Sequence, residues 1–285
     1  LVALKKPLQL IQGYRLPDWV SPKALVLASS HSGNTAETVA VAEQALALGC
    51  RVVVISSGGQ LATMAETHGL DRWPLPTGRP PRSCLGYSLV LLARALAHHG
   101  LMDAFPEAKI RAVATHLEQQ QEVLRGQALN LAQTLHARSG EGPAMPYLLA
   151  EERWSPVLLR WCQQLQENTK VQAFAERFPE MNHNALVAWS EPSAVLVPIL
   201  LESALDDPRN AARMAWTRER IADGGQKVIG LQGDQQDAWN QAFAWVHLGD
   251  WLSVEWAAVR GVDPMDIGII DALKAHLKAS DSSGA

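Results

Sequence analysis

Apolar residues come in short unbroken runs, separated by longer stretches of helical period, through the first hundred positions of the chain. Residues 24–29 (ALVLAS) and 51–56 (RVVVIS) are the clearest runs. An uninterrupted run of that length, bounded by turn residues, predicts a strand covered on both faces of a parallel sheet. The stretch between them predicts a helix over 36–48, with Gly49 placed where a helix C-terminus favours glycine. Residues 8–12 predict a short strand, 61–68 a short helix, 72–75 a strand and 84–98 a long helix. Strand–helix alternation at this spacing predicts an α/β fold with a parallel sheet.

The second half repeats the pattern. One helical period, rich in Gln, Glu and Ala and free of Pro, covers 107–137. Strands are then predicted at 147–149, 194–200 and 227–231, with helices at 156–166, 210–222 and 235–259. The last of these is rich in Trp. The expected organisation is an N-terminal α/β subdomain over 1–104, a linking helix over 105–140 and a second α/β subdomain over 141–285.

Composition narrows the classes of function. With 47% hydrophobic residues, the 285-residue chain can bury a substantial core, which excludes disorder as a whole. Its 25 basic and 29 acidic residues leave a net charge of −4, and no helix-turn-helix or basic arm is legible, so nucleic acid is not an expected partner. The longest apolar stretch, 193–201, is far short of the roughly 20 residues that span a bilayer. No targeting segment is read in residues 1–14, and a cytoplasmic protein is expected. Cys50, Cys84 and Cys162 share no metal or disulfide spacing and read as buried thiols. The nine histidines form no metal-ligand motif, and His98-His99 reads as a solvated helix end. Neither metal nor cofactor is expected.

Chemistry concentrates in Ser29-Ser30-His31-Ser32-Gly33-Asn34-Thr35, between a predicted buried strand and a helix. Hydroxyls and a glycine at a helix N-terminus suit an anion, because free N–H groups and the helix dipole converge there. Ligands of open α/β sheets also bind at the carboxyl ends of the strands. The plainer alternative is a Ser or Thr N-cap on a tight turn.

The run S-S-H-S-G-N-T-A-E-T at 29–38 resembles the phosphosugar-binding turn of the sugar isomerase (SIS) domain. T-G-R-P-P-R-S-C-L-G-Y at 77–87, Q-E-N-T-K at 166–170, F-P-E-M-N-H-N at 178–184 and R-G-V-D-P at 260–264 follow in order. Together they resemble the bifunctional phosphoglucose/phosphomannose isomerase family, which is built of two SIS subdomains. The resemblance implies an aldose–ketose isomerase that interconverts glucose 6-phosphate, and mannose 6-phosphate, with fructose 6-phosphate through an enediolate, without metal. It assigns the sugar phosphate to Ser30, Ser32 and Thr35, and enediolate charge to Arg82. Proton transfer between C1 and C2 falls to Glu167. Ring opening falls to His183, supplied across the interface of a homodimer. A further contribution comes from Lys274, matched through I-D-A-L-K.

These residue types suit the chemistry on their own terms. One carboxylate can take and return a proton between neighbouring carbons, His titrates near neutrality, and Arg supplies a permanent positive charge. Read singly, Glu167 is a surface charge, His183 a turn residue and Arg82 half of an ion pair. It is their occurrence together, in family order, that favours the enzyme. The four tryptophans Trp239, Trp245, Trp251 and Trp256 read as core or dimer packing.

Three departures qualify the resemblance. Relatives begin with a βα unit ending in a Gly-Gly-Ser turn, so the first subdomain is expected to be incomplete. Glu151-Glu152 stands where relatives carry a small turn, which predicts one phosphosugar site per subunit. Met265 follows Asp263-Pro264 where relatives often carry Thr, a position linked to mannose phosphate. Two other readings stay open: a non-catalytic phosphosugar-binding module, and an inactive remnant.

Overall fold

A computed structural model describes residues 4–140 and 142–283. The chain divides into two compact units, Leu1–Ala108 and Lys109–Ala285. Each is built on its own parallel sheet.

The first unit carries β1 (Leu25–Ser29), α1 (Ala36–Ala47), β2 (Arg51–Ser56), α2 (Gly59–His68), β3 (Asp71–Pro74) and α3 (Leu85–His98). Its strands lie in the order β1-β2-β3, all parallel. The unbroken apolar run of β2 resolves into two faces. Val52 and Val54 pack with Val39, Ala42, Leu61 and Ala65 of α1 and α2, while Val53 and Ile55 pack with Leu75 and Ala95 on the α3 side. Successive side chains of a strand point to opposite faces, so a strand covered on both sides must be apolar throughout. Residues 8–12 form no strand: they follow Pro7, pair with no other strand, and leave Leu8 and Leu10 exposed.

The second unit opens with α4 (Glu107–Ala137), whose first two residues belong to the first. It continues with β4 (Met145–Glu151), α5 (Ser155–Thr169), β5 (Phe174–Phe178), α6 (Ala185–Ala188), β6 (Leu196–Ser203), α7 (Pro208–Asp223), β7 (Ile229–Gly233), α8 (Ala238–Arg260) and α9 (Gly268–Ser283). The strand order is β5-β4-β6-β7, again all parallel. Leu148, Ala150, Ile199 and Leu201 face a core shared with α5, α8 and the Leu124, Ala128, Leu131 and Leu135 stripe of α4. Leu149 and Leu200 face the opposite layer with Phe178, Met214 and Ile221. The sequence pattern misses β5 because only Phe178 of its residues is fully buried, which leaves an edge strand with a mixed surface. The C-terminal helix α9 is likewise unanticipated. The chain closes on a Ser/Gly-rich tail over 280–285, of which 284–285 lie outside the described residues.

Tryptophans do the packing between α5 and α8. The indole N–H of Trp161 donates to the Trp245 carbonyl at 2.7 Å, and Trp154 meets the Trp245 ring edge-on at 4.9 Å. Gly249 makes this possible, because a Cβ there would overlap the Trp161 indole. Trp245 and Trp256 are buried, as packing residues should be. All three cysteines are free and buried, and burial pushes the Cys162 thiol up to about 11.

On α8 the Trp251 indole N–H donates to His247 Nε2 at 3.2 Å, which requires a neutral imidazole. Burial holds the His247 pKa below its ordinary 6.5, against a smaller opposing effect of Asp250. The unfolded chain therefore takes up this proton first on acidification. The stabilisation is present above about pH 6.5 and is lost as pH falls below it. A plot of thermal midpoint against pH should fall less steeply between about pH 7 and 5 in His247→Gln, whose amide oxygen can still accept from Trp251. An equal slope in both proteins would remove His247 from the acid response.

Candidate functional site

The turn from Ser30 to Thr35 leaves the carboxyl end of β1 and opens α1. Ser30 is buried, and its Oγ lies 2.7 Å from Thr35 Oγ1 and accepts the Gly33 N–H at 3.2 Å. Ser32 Oγ accepts the Asn34 N–H at 3.2 Å. Thr35 is the N-cap of α1 but makes no side-chain capping bond. Its hydroxyl goes to Ser30, so the first-turn N–H groups of the helix are left to an external acceptor. Ser32 and Thr35 are exposed, giving an anion two hydroxyls at the front of the turn.

A second turn braces the first. The Ser57 hydroxyl and backbone N–H both donate to the His31 carbonyl, at 2.6 and 2.9 Å, and Gln60 N–H donates to Asn34 Oδ1 at 2.9 Å. Gly33 sits at φ +69°, and a Cβ there would run into the Gly58 carbonyl. The left-handed backbone and the close approach both demand glycine. Ser57, Gly58 and Asn34 were not among the expected site residues. The signal that could have found them is the Gly58-Gly59 pair that follows the apolar run at 51–56.

Arg82 lies in a 3₁₀ turn, Pro81–Cys84, between β3 and α3. Because β1 and β3 are parallel members of one sheet, Arg82 and the Ser30–Thr35 turn both belong to connections at its carboxyl edge. Two of the expected groups, the phosphate turn and the cationic side chain, therefore share one end of one sheet.

In the second unit Glu167 stands in the last turn of α5, partly buried. Its neighbours hold that turn in place. Asn168 Nδ2 donates to Ser253 Oγ at 2.8 Å, the Thr169 hydroxyl donates to the Leu165 carbonyl at 2.6 Å, and Lys170 caps the helix at φ 60° while its Nζ donates to the Glu167 carbonyl at 2.7 Å. The E-N-T-K motif thus contains its own scaffolding. His183 ends a 3₁₀ turn, Glu180–His183, after β5, and is exposed. Asn182 Nδ2 donates to Thr217 Oγ1 at 3.0 Å and anchors it.

Glu167 and His183 do not come together. Helix α5 starts at the carboxyl end of β4 and returns to the amino end of β5, placing Glu167 there, whereas His183 follows the carboxyl end of β5. Five strand residues, at about 3.3 Å each, put roughly 16 Å between those two ends. Lys274 lies on α9, largely exposed, and pairs with Asp271 at 3.2 Å.

Where β4 ends, carboxylates stand in place of hydroxyls. Glu151 is buried beside Arg153 (3.5 Å), and Glu152 pairs with Arg177 at 2.7 Å. Asp206, just after β6, accepts from the Trp154 indole and the Ser203 N–H at 2.7 and 2.8 Å. Burial raises its pKa, and the adjacent Glu151 adds to the rise. Carboxylates there disfavour an anion.

Comparison with known proteins gives first the class. Residues 125–277 match the family described as "Bacterial phospho-glucose isomerase C-terminal SIS domain". The fold superposes on the crystal structure of a hypothetical protein from Thermus thermophilus with a TM-score of 0.73 and 19% identity, over 92% of this chain and 72% of that one. The architecture is that of a SIS protein. Across its length the chain is 31% identical to a bifunctional phosphoglucose/phosphomannose isomerase of Caldicellulosiruptor bescii, covering 96% of this chain and 82% of the relative. It is 29% identical to the protein of that name in Aquifex aeolicus, covering 97% and 83%. The chain belongs to the bifunctional phosphoglucose/phosphomannose isomerase family. Among the described residues, no helix is long and apolar enough to cross a membrane.

Proposed function

We propose that this protein isomerises hexose 6-phosphates, interconverting glucose 6-phosphate, and mannose 6-phosphate, with fructose 6-phosphate through an enediolate and without a metal. The observation that carries this reading is the Ser30–Thr35 turn, a hydroxyl-lined helix N-terminus in a chain related over nearly its whole length to isomerases of those sugars. Ser32 and Thr35 hold the phosphate, with Ser30 fixing Thr35 from behind. Arg82 stabilises the charge that develops on the two sugar oxygens, at a site where a fixed cation costs no reorganisation during reaction. Glu167 takes the proton from one carbon and returns it to the other. His183 opens the pyranose ring. The wide separation of Glu167 and His183 within one unit supports a homodimer in which His183 of a second copy serves the site. Lys274 contributes from the C-terminal helix.

Because the phosphate does not react, its contacts should count equally in the ground and transition states. Ser32→Ala and Thr35→Ala should each raise KM for fructose 6-phosphate roughly ten- to a hundredfold with kcat little changed, the equivalent of about 1.5–3 kcal/mol for a hydrogen bond to a charged group. Assays run with a chelator present should show undiminished turnover by the wild type. An unchanged KM in both variants would move the phosphate elsewhere.

A further inference from the structure

The amino end of the first sheet, opposite the edge that carries the phosphate turn, gathers two imidazoles and a carboxylate. Asp71 is the first residue of β3. Helix α3 leaves the carboxyl edge and runs back, so that its last residue, His98, and its C-cap, His99, reach Asp71. One ligand atom from each of the three lies within 4.8 Å of the others, the one such grouping of three His, Cys, Asp or Glu among the described residues.

His99 is not the solvated helix end that its sequence suggests. Its side chain is 1% exposed, and neither ring nitrogen has a hydrogen-bond partner. Nε2 stands 3.3 Å from Asp71 Oδ2. A buried polar group left unsatisfied is costly and calls for an occupant. The His98 ring meets His99 edge-on at 5.0 Å and is open to solvent.

We infer that Asp71, His98 and His99 bind one divalent transition cation of the zinc type, with water in the fourth position. Two imidazoles and one carboxylate are a donor set for a borderline-soft ion; calcium and magnesium favour oxygen alone. With metal–ligand bonds of about 2.0–2.1 Å, neighbouring corners of a tetrahedron stand about 3.3 Å apart. His99 Nε2 and Asp71 Oδ2 already have that spacing. His98, exposed at the end of a helix, has the freedom to close the remaining gap. The C-terminus of α3 adds the negative end of its macrodipole. Arg51 opposes the cation: its guanidinium lies 3.8 Å from Asp71 Oδ2, but it is 63% exposed and can turn into solvent. A metal here staples the end of α3 to the start of β3. It lies at the far end of the sheet from the phosphate turn and takes no part in the isomerisation.

The test is calorimetric titration of the untagged full chain, stripped with a chelator, with Zn²⁺, and with Co²⁺ as a spectroscopic probe. One equivalent of Zn²⁺ should bind and raise the thermal midpoint, and Co²⁺ should give the intense visible bands of a four-coordinate ion. His98→Ala and Asp71→Asn alter exposed side chains and should leave the circular dichroism unchanged while weakening Zn²⁺ binding at least tenfold. Arg51→Ala should tighten it severalfold, a gain that scattered surface histidines would not produce. Absence of stoichiometric binding, or affinity indifferent to both His98→Ala and Asp71→Asn, overturns the site and leaves Asp71 and His99 as an ion pair only.

Discussion

Glu167→Gln should lower turnover by about 10²–10⁴ while fructose 6-phosphate binds with near-normal affinity. The substitution keeps the size of the side chain while removing its charge and its capacity to take a proton. The last turn of α5 is held by Asn168, Thr169 and Lys170, which the substitution leaves in place, and circular dichroism of the variant checks that the fold is kept. Steady-state kinetics with calorimetric binding of the sugar phosphate checks both halves. The result also separates an isomerase from a phosphosugar-binding module, which would bind alike in both proteins and turn over in neither.

Mixing Glu167→Gln with His183→Ala should restore activity that each variant lacks. Glu167 belongs to the amino end of the second sheet and His183 to its carboxyl end. If a second copy of the chain supplies His183, a mixed dimer has one site with both groups intact. Random exchange of equal amounts should then recover about a quarter of the wild-type rate, since half the dimers are mixed and each has one good site in two. Verified heterodimers without rescue would return His183 to its own subunit's site or remove it from catalysis.

The parallel sheets were legible because burial on both faces leaves a long apolar run, as in R-V-V-V-I-S at β2 and around Leu148 and Leu200. Edge strand β5 was not, since a strand with one partner and mixed exposure loses that signature. The Ser30–Thr35 turn stood out by its hydroxyl density as a candidate anion site, whereas its brace by Ser57 and Gly58 depends on two loops meeting across adjacent strands. The Asp71–His99 contact was hidden for the same reason. Twenty-eight residues apart in sequence, the two meet because α3 runs back along the sheet. The opposed placement of Glu167 and His183 likewise follows from strand direction, which no local motif records.

The central claim is that the chain moves a proton between neighbouring carbons of a hexose phosphate, and hydrogen exchange reads that step directly. In the proposed reaction the abstracted proton rests on Glu167 while the enediolate exists, and there it can exchange with water. Incubated in deuterium oxide with glucose 6-phosphate, the wild-type protein should place deuterium at C2, as read by NMR or mass spectrometry, and Glu167→Gln should not. Wild-type protein that binds the sugar phosphate yet shows neither exchange nor isomerisation would contradict the account and leave a phosphosugar-binding module.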